Sequence, residues 1–217
     1  MKNEGKQLQV EHTVQVTSFG GAGTTMLLEF LQEQGVKVPQ EFDSGIWKHL
    51  PEPPCVSRYQ LPSDFRAVYL TADPIDALLS VFRRGYHMAH AVRMQSAARW
   101  PGHFLMRDEP DPPWGLHDFL AEKRDCFGIY DQFKAWTTSP PQRRGYQIML
   151  LKYERLWNHI EELYAFLGLP PERLCQFPAH KERMPNPLNT MSNRLKLLEI
   201  YGDLAQQAAS LPDVKIY

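Results

Sequence analysis

The run Gly20-Gly21-Ala22-Gly23-Thr24-Thr25 constrains this chain more than any other feature, because of what flanks it. Before it, His12 to Phe19 (HTVQVTSF) is rich in β-branched residues and reads as a strand. After it, Thr24 to Gln34 (TTMLLEFLQEQ) places Met26, Leu27, Phe30 and Leu31 at helical spacing, and Gly35 is set to stop the helix. Strand, glycine loop and helix form a layout in which backbone N–H groups turn inward around anionic oxygens. The helix N-terminus then adds partial positive charge. The loop is no Walker A motif, since Thr24 stands where lysine follows the last glycine, and this argues against ordinary ATP or GTP hydrolysis.

The alternation continues along the chain. Arg66 to Thr71 (RAVYLT) is a second strand, Pro74 occupies a first-turn position, and Ile75 to Arg84 reads as a helix. Gln147 to Leu151 (QIMLL) has the continuous apolar pattern of a strand buried on both faces. Glu154 to Leu167 is predicted as a helix with Leu156, Ile160, Leu163 and Leu167 on one face and Glu161 and Glu162 off it. Gly168 and Pro170–Pro171 end it. A final helix is expected around Asn189 to Ala209, after an irregular stretch marked by Pro185 and Pro187. Together these predict an α/β fold, a three-layer α/β/α arrangement around a mostly parallel sheet. One domain over 1–217 is expected. His87 to Trp114 interrupts it with Arg93, Arg99, Trp100, His103, Arg107 and the proline-rich DEPDPPW. It reads either as a lid over the carboxyl edge of the sheet, where such folds bind ligands, or as a surface loop with a short helix.

Charge and composition narrow the function classes. Twenty-four Lys+Arg against 25 Asp+Glu give a net charge of -1, without the basic excess of a general nucleic-acid binder. No stretch approaches the ~20 apolar residues that span a bilayer, and MKNEGKQLQVEHT lacks the apolar segment of a secretory signal. A cytoplasmic protein without membrane or nucleic-acid partners is therefore expected. Cys55, Cys126 and Cys175 are far apart and read as reduced thiols. His87 and His90 fall at i, i+3, but no third ligand lies near them in sequence, and no metal site is expected.

The segment TSFGGAGTT, Thr17 to Thr25, resembles the phosphosulfate-binding loop of sulfotransferases that use 3′-phosphoadenosine 5′-phosphosulfate (PAPS). Three later segments fall in that family's order. Trp47-Lys48-His49-Leu50-Pro51 resembles its Lys-Thr-His-Leu-Pro, whose histidine is the catalytic base. Tyr69 to Ser80 (YLTADPIDALLS) resembles the strand–turn–helix that holds the donor's 3′-phosphate. Leu151 to Leu156 (LKYERL), with Ala165 to Pro170 (AFLGLP), resembles its late Tyr-Glu-Asp-Leu strand and the helix behind it.

The resemblance implies a P-loop NTPase-like, sulfotransferase-like domain that uses PAPS as co-substrate, without a metal. The acceptor would be a hydroxyl or amine of a small molecule or glycan. His49 would serve as general base and Lys48 would stabilise the leaving phosphate. Gly20, Gly21, Ala22, Gly23, Thr24 and Thr25 would bind the phosphosulfate, with Ser80 and Arg183 on the nucleotide. Two positions depart from the family pattern: Gly21 replaces a loop Lys or Arg, and Ala72 replaces an Arg at the start of the 3′-phosphate turn. Each loss removes a charge-assisted contact worth about 1.5–3 kcal/mol. Arg83, Arg84 and Arg183 are the candidates to replace them. The competing readings are a non-catalytic relative that has lost donor binding and a P-loop kinase for a small metabolite. The oligomeric state stays open.

Overall fold

The computed structural model describes residues 7–39, 47–96, 99–100, 115–182 and 184–217. The chain runs β1 (Leu8–Gln9), β2 (Val14–Thr17), α1 (Thr24–Glu33), a 3-10 turn (Trp47–His49), β3 (Tyr59–Gln60), β4 (Arg66–Thr71), α2 (Pro74–Arg83) and α3 (His87–Arg93). It continues through α4 (Leu116–Ala121), α5 (Ile129–Thr138), α6 (Pro141–Arg144), β5 (Gln147–Lys152), a second 3-10 stretch (Tyr153–Asn158) and α7 (Ile160–Leu167). A third 3-10 segment (Pro171–Gln176) leads to α8 (Met191–Ser210) and β6 (Val214–Ile216).

β2, β4 and β5 lie side by side in parallel, and β6 closes the far edge antiparallel to β5. The apolar runs of β4 and β5 suit this position, since both faces of each strand are covered. Alternation divides them between two cores. Ala67, Tyr69, Ile148 and Leu150 meet α2, α5 and α8 on one face. Val16, Val68, Leu70, Met149 and Leu151 meet α1 and α7 on the other. Helices therefore cover both faces of a mostly parallel sheet, as the strand–helix alternation implies. Because α1 follows β2 onto one face while α2 follows β4 onto the opposite face, the two connecting loops diverge at the carboxyl ends. Divergence of this kind opens a crevice in an α/β sheet.

Several boundaries differ from the sequence expectation. The helix expected over Glu154 to Leu167 is divided: a 3-10 stretch ends at Asn158, His159 takes φ -127 and ψ 28, and α7 starts at Ile160. Leu156 and Leu163 are still both fully buried, so the apolar spacing survives a break in the backbone. The irregular segment starts as a regular helix, α3, with His87, His90 and Ala91 buried; residues 97, 98 and 101–114 of that segment lie outside the described residues. The antiparallel edge strand β6 and the short parallel pair β1–β3 carry no sequence signal strong enough to mark them. All three cysteines are free thiols. No described helix is long and apolar enough to cross a membrane.

Candidate functional site

At the divergence point lies a cleft of about 960 Å³. Its wall joins the glycine loop, the 3-10 turn, α2, α3 and the stretch before α8: Gly20, Gly21, Gly23, Thr24 and Thr25; Lys48 and His49; Ser80, Arg83 and Arg84; His90 and Arg93; Asn186 and Asn189.

The loop glycines are there for two separate reasons. Gly20, Gly21 and Gly23 have φ of 134, 66 and 69, which side-chain-bearing residues rarely adopt. Each is also closely approached: a Cβ would come within 2.6 Å of the His90 ring at Gly20, 3.0 Å of the Ala77 backbone at Gly21, and 2.3 Å of the Tyr153 ring at Gly23. Gly23 is the N-cap of α1 and offers no side-chain cap, and the first turn holds no acidic residue. The leading N–H groups of α1 thus face the cleft without a carboxylate on them, the arrangement that favours an anion. By contrast, the N-terminus of α2 is capped, since the Asp73 carboxylate accepts from the Ile75 and Asp76 amides at 2.8 and 2.9 Å.

The 3-10 turn is clamped from two sides. Thr17 Oγ1 donates to the Trp47 carbonyl at 3.0 Å, and Gln15 Nε2 donates to the same oxygen. From α5, Gln132 Nε2 and Trp136 Nε1 donate to the Leu50 carbonyl at 2.8 and 2.9 Å. Held this way, Lys48 Nζ donates to Thr25 Oγ1 at 2.5 Å, and His49 Nδ1 lies 2.9 Å from the Ser18 carbonyl. A carbonyl only accepts, so Nδ1 carries the proton and Nε2 keeps its lone pair. Burial holds the His49 pKa well below 6.5, and nearby His90, Lys48 and Arg93 lower it further against the Ser18 bond. At neutral pH the imidazole is neutral.

Positive charge dominates the wall. Arg83 and Arg84 flank Ser80, with Arg84 Nε donating to the Ser80 carbonyl at 3.2 Å. Among the described lining residues the one carboxylate is Asp76, and Arg194 of α8 donates to it at 2.6 Å. Of the sequence-derived candidates, Gly20, Gly21, Gly23, Thr24, Thr25, Lys48, His49 and Ser80 come together here. Ala22 does not. It is 1% exposed and turns its methyl into the core against α1, because the loop's alternation points it away from the cleft. Arg183 lies outside the described residues. Ala72, just past the carboxyl end of β4, does not line the cleft and borders an apolar recess with Pro74 and Ala77 instead. Arg93, read from sequence as part of a candidate lid, also lines the cleft, while His90, Asn186 and Asn189 were missed as site residues. In sequence His90 stands out only by its spacing from His87, a pattern that points to a metal rather than to an anion loop. Among the described residues no group of three His, Cys, Asp or Glu side chains is placed to hold a metal ion.

No family model, curated protein or solved structure matches this chain.

Proposed function

We propose that this protein is a PAPS-dependent sulfotransferase acting on a hydroxyl or amine, with His49 as general base. What supports this most is the convergence on one cleft of the glycine loop, the Lys48–His49 pair and Ser80 with its flanking arginines. These segments carry the family resemblance and are separated widely in sequence.

Their chemistry suits sulfuryl transfer. The loop amides, Thr24, Thr25 and the α1 N-terminus hold the anionic phosphosulfate. Ser80, Arg83 and Arg84 receive the 3′-phosphate. His49 Nε2, bare because Nδ1 is committed to Ser18, takes the acceptor proton as the new S–O bond forms. The bond from sulfur to the bridging phosphate oxygen breaks, and Lys48 beside Thr25 meets the charge left on that oxygen. A low intrinsic pKa keeps His49 in the base form, and the donor's negative charge raises its basicity when the donor is present.

The test is calorimetric titration with adenosine 3′,5′-bisphosphate against ADP with and without Mg²⁺. Micromolar affinity for the bisphosphate, independent of Mg²⁺, is expected, and preference for Mg-ADP would support a kinase instead. The non-catalytic reading draws on Ala72, which brings no charge to the cleft; failure of the bisphosphate to bind would favour it. In the active enzyme His49→Ala abolishes turnover and leaves bisphosphate affinity within a few-fold.

A further inference from the structure

His90 is a buried side chain that the chemistry above leaves unused. Its imidazole is 3% exposed, lines the cleft, and has its ring centroid 4.3 Å from that of His49. It lies against the first loop glycine, where a Cβ would come 2.6 Å from Cε1 and 3.0 Å from Nε2. His90 Nε2 is buried with no hydrogen-bond partner among the described residues, and the Phe19 backbone beside the ring favours its protonated form. Assigning the neutral ring's one proton to Nδ1, on the Phe19 side, leaves Nε2 a bare lone pair beside a loop shaped for anions. A buried acceptor left unmatched is costly. An incoming phosphate or sulfate oxygen makes this worse, because both atoms only accept. Protonation resolves the conflict, since imidazolium carries N–H on both nitrogens.

We propose that His90 takes up a proton when a phosphate or phosphosulfate enters the glycine loop, and that its Nε2–H then donates to that anion. One proton passes from solvent to Nε2, and no bond to the ligand forms or breaks. His90 in this way supplies from α3 the positive charge that the loop lacks at Gly21. The inference rests on the reading that the loop binds such an anion.

The surroundings set the direction of the effect. Burial above all, with Arg93, Arg84 and Lys48 adding to it, lowers the free ring from 6.5 to about 3. Facing His90 are Arg84 from α2, Lys48 and His49 from the 3-10 turn, and His87 and Arg93 on its own helix; Phe19 and Phe127 bring no charge. A multivalent anion reverses the sign of that field and lifts the pKa. Affinity therefore rises as pH falls from the bound-state pKa towards the free value, by at most about tenfold per pH unit.

Calorimetry in buffers of different ionisation enthalpy, near about pH 6.5, reads the protons taken up on binding adenosine 3′,5′-bisphosphate and, separately, inorganic pyrophosphate. The wild type should take up more protons than His90→Gln, by as much as one per site, and lose affinity more steeply as pH rises. Comparing the two cancels the protons that the ligand's own phosphates release. Equal uptake in both proteins overturns the proposal. If His90→Gln does not fold, ¹⁵N spectra of the wild-type imidazoles decide: His90 should become imidazolium on adding pyrophosphate, and a ring that stays neutral refutes it. Pyrophosphate binding with His90-dependent uptake, but no bisphosphate binding, would sink the sulfotransferase reading and keep this one. Bisphosphate binding without that uptake does the reverse. No binding of either ligand overturns both.

Discussion

Putting lysine at Gly21 is the change that the sulfotransferase resemblance invites, since that family carries a basic residue there. The structure predicts that it fails. Gly21 has φ 66, and a Cβ there would meet Ala77 Cα and O at 3.0 Å. A side-chain-bearing residue in the left-handed region costs roughly 1–2 kcal/mol. The contact adds to this because Ala77 is backbone within α2, is 2% exposed, and has no flexible end to move. A total of about 2 kcal/mol, at roughly 2–4 °C per kcal/mol for a chain of this size, lowers Tm by about 4–8 °C. A well-placed lysine would strengthen bisphosphate binding by one or two decades, as a charge-assisted contact of about 1.5–3 kcal/mol does. Here the affinity should stay level or fall, because the strained loop no longer presents its amides. Thermal melts and bisphosphate calorimetry on Gly21→Lys check both arms. A variant that melts with the wild type and binds ten times tighter would show that the loop accepts a side chain and that the close approach of α2 is no constraint.

Four further substitutions examine other parts of the site and its support. Arg194→Ala strips the partner from the Asp76 carboxylate at the cleft wall and should weaken bisphosphate binding; adding Asp76→Asn should restore it, and calorimetry on the pair reads the difference. Gln132→Leu removes the donor to the Leu50 carbonyl and the acceptor for the Tyr69 hydroxyl, both buried, so urea unfolding should show a loss of about 1–3 kcal/mol. His12 is buried beside Gln15 and its pKa is lowered to about 4 from 6.5, chiefly by burial. The folded state disfavours its charged form, so this contribution is complete above about pH 6.5 and is lost as pH falls towards 4. Between pH 7.5 and 5 the loss is roughly 2 kcal/mol. His12→Asn should therefore flatten the stability profile over that window in urea titrations, and an unchanged profile would rule out a neutral buried imidazole.

Local sequence determined much of the frame. The β-branched run before the glycines, the helical spacing of Leu27, Phe30 and Leu31, the apolar run at β5 and the Asp73-Pro74 start of α2 each act within a few residues. Such signals survive without knowledge of the rest of the chain, and they were enough for helices on both faces of a parallel sheet. The family resemblance, rather than those local signals, marked most of the cleft: the loop glycines after β2, Lys48 and His49 on the 3-10 turn and Ser80 within α2 all line it.

Tertiary structure decided the remainder. Ala22 follows two cleft glycines in sequence and still faces the core, since a left-handed backbone at Gly21 and Gly23 turns it away. His159 breaks a helix that its apolar spacing would continue. Above all, His90 reaches Gly20 across 70 residues of chain only because α3 packs over the loop, and Arg194 neutralises Asp76 only because α8 lies along α2. Periodicity says which face of a helix is buried; which charges and lone pairs then meet across that face is set by how the helices settle on the sheet.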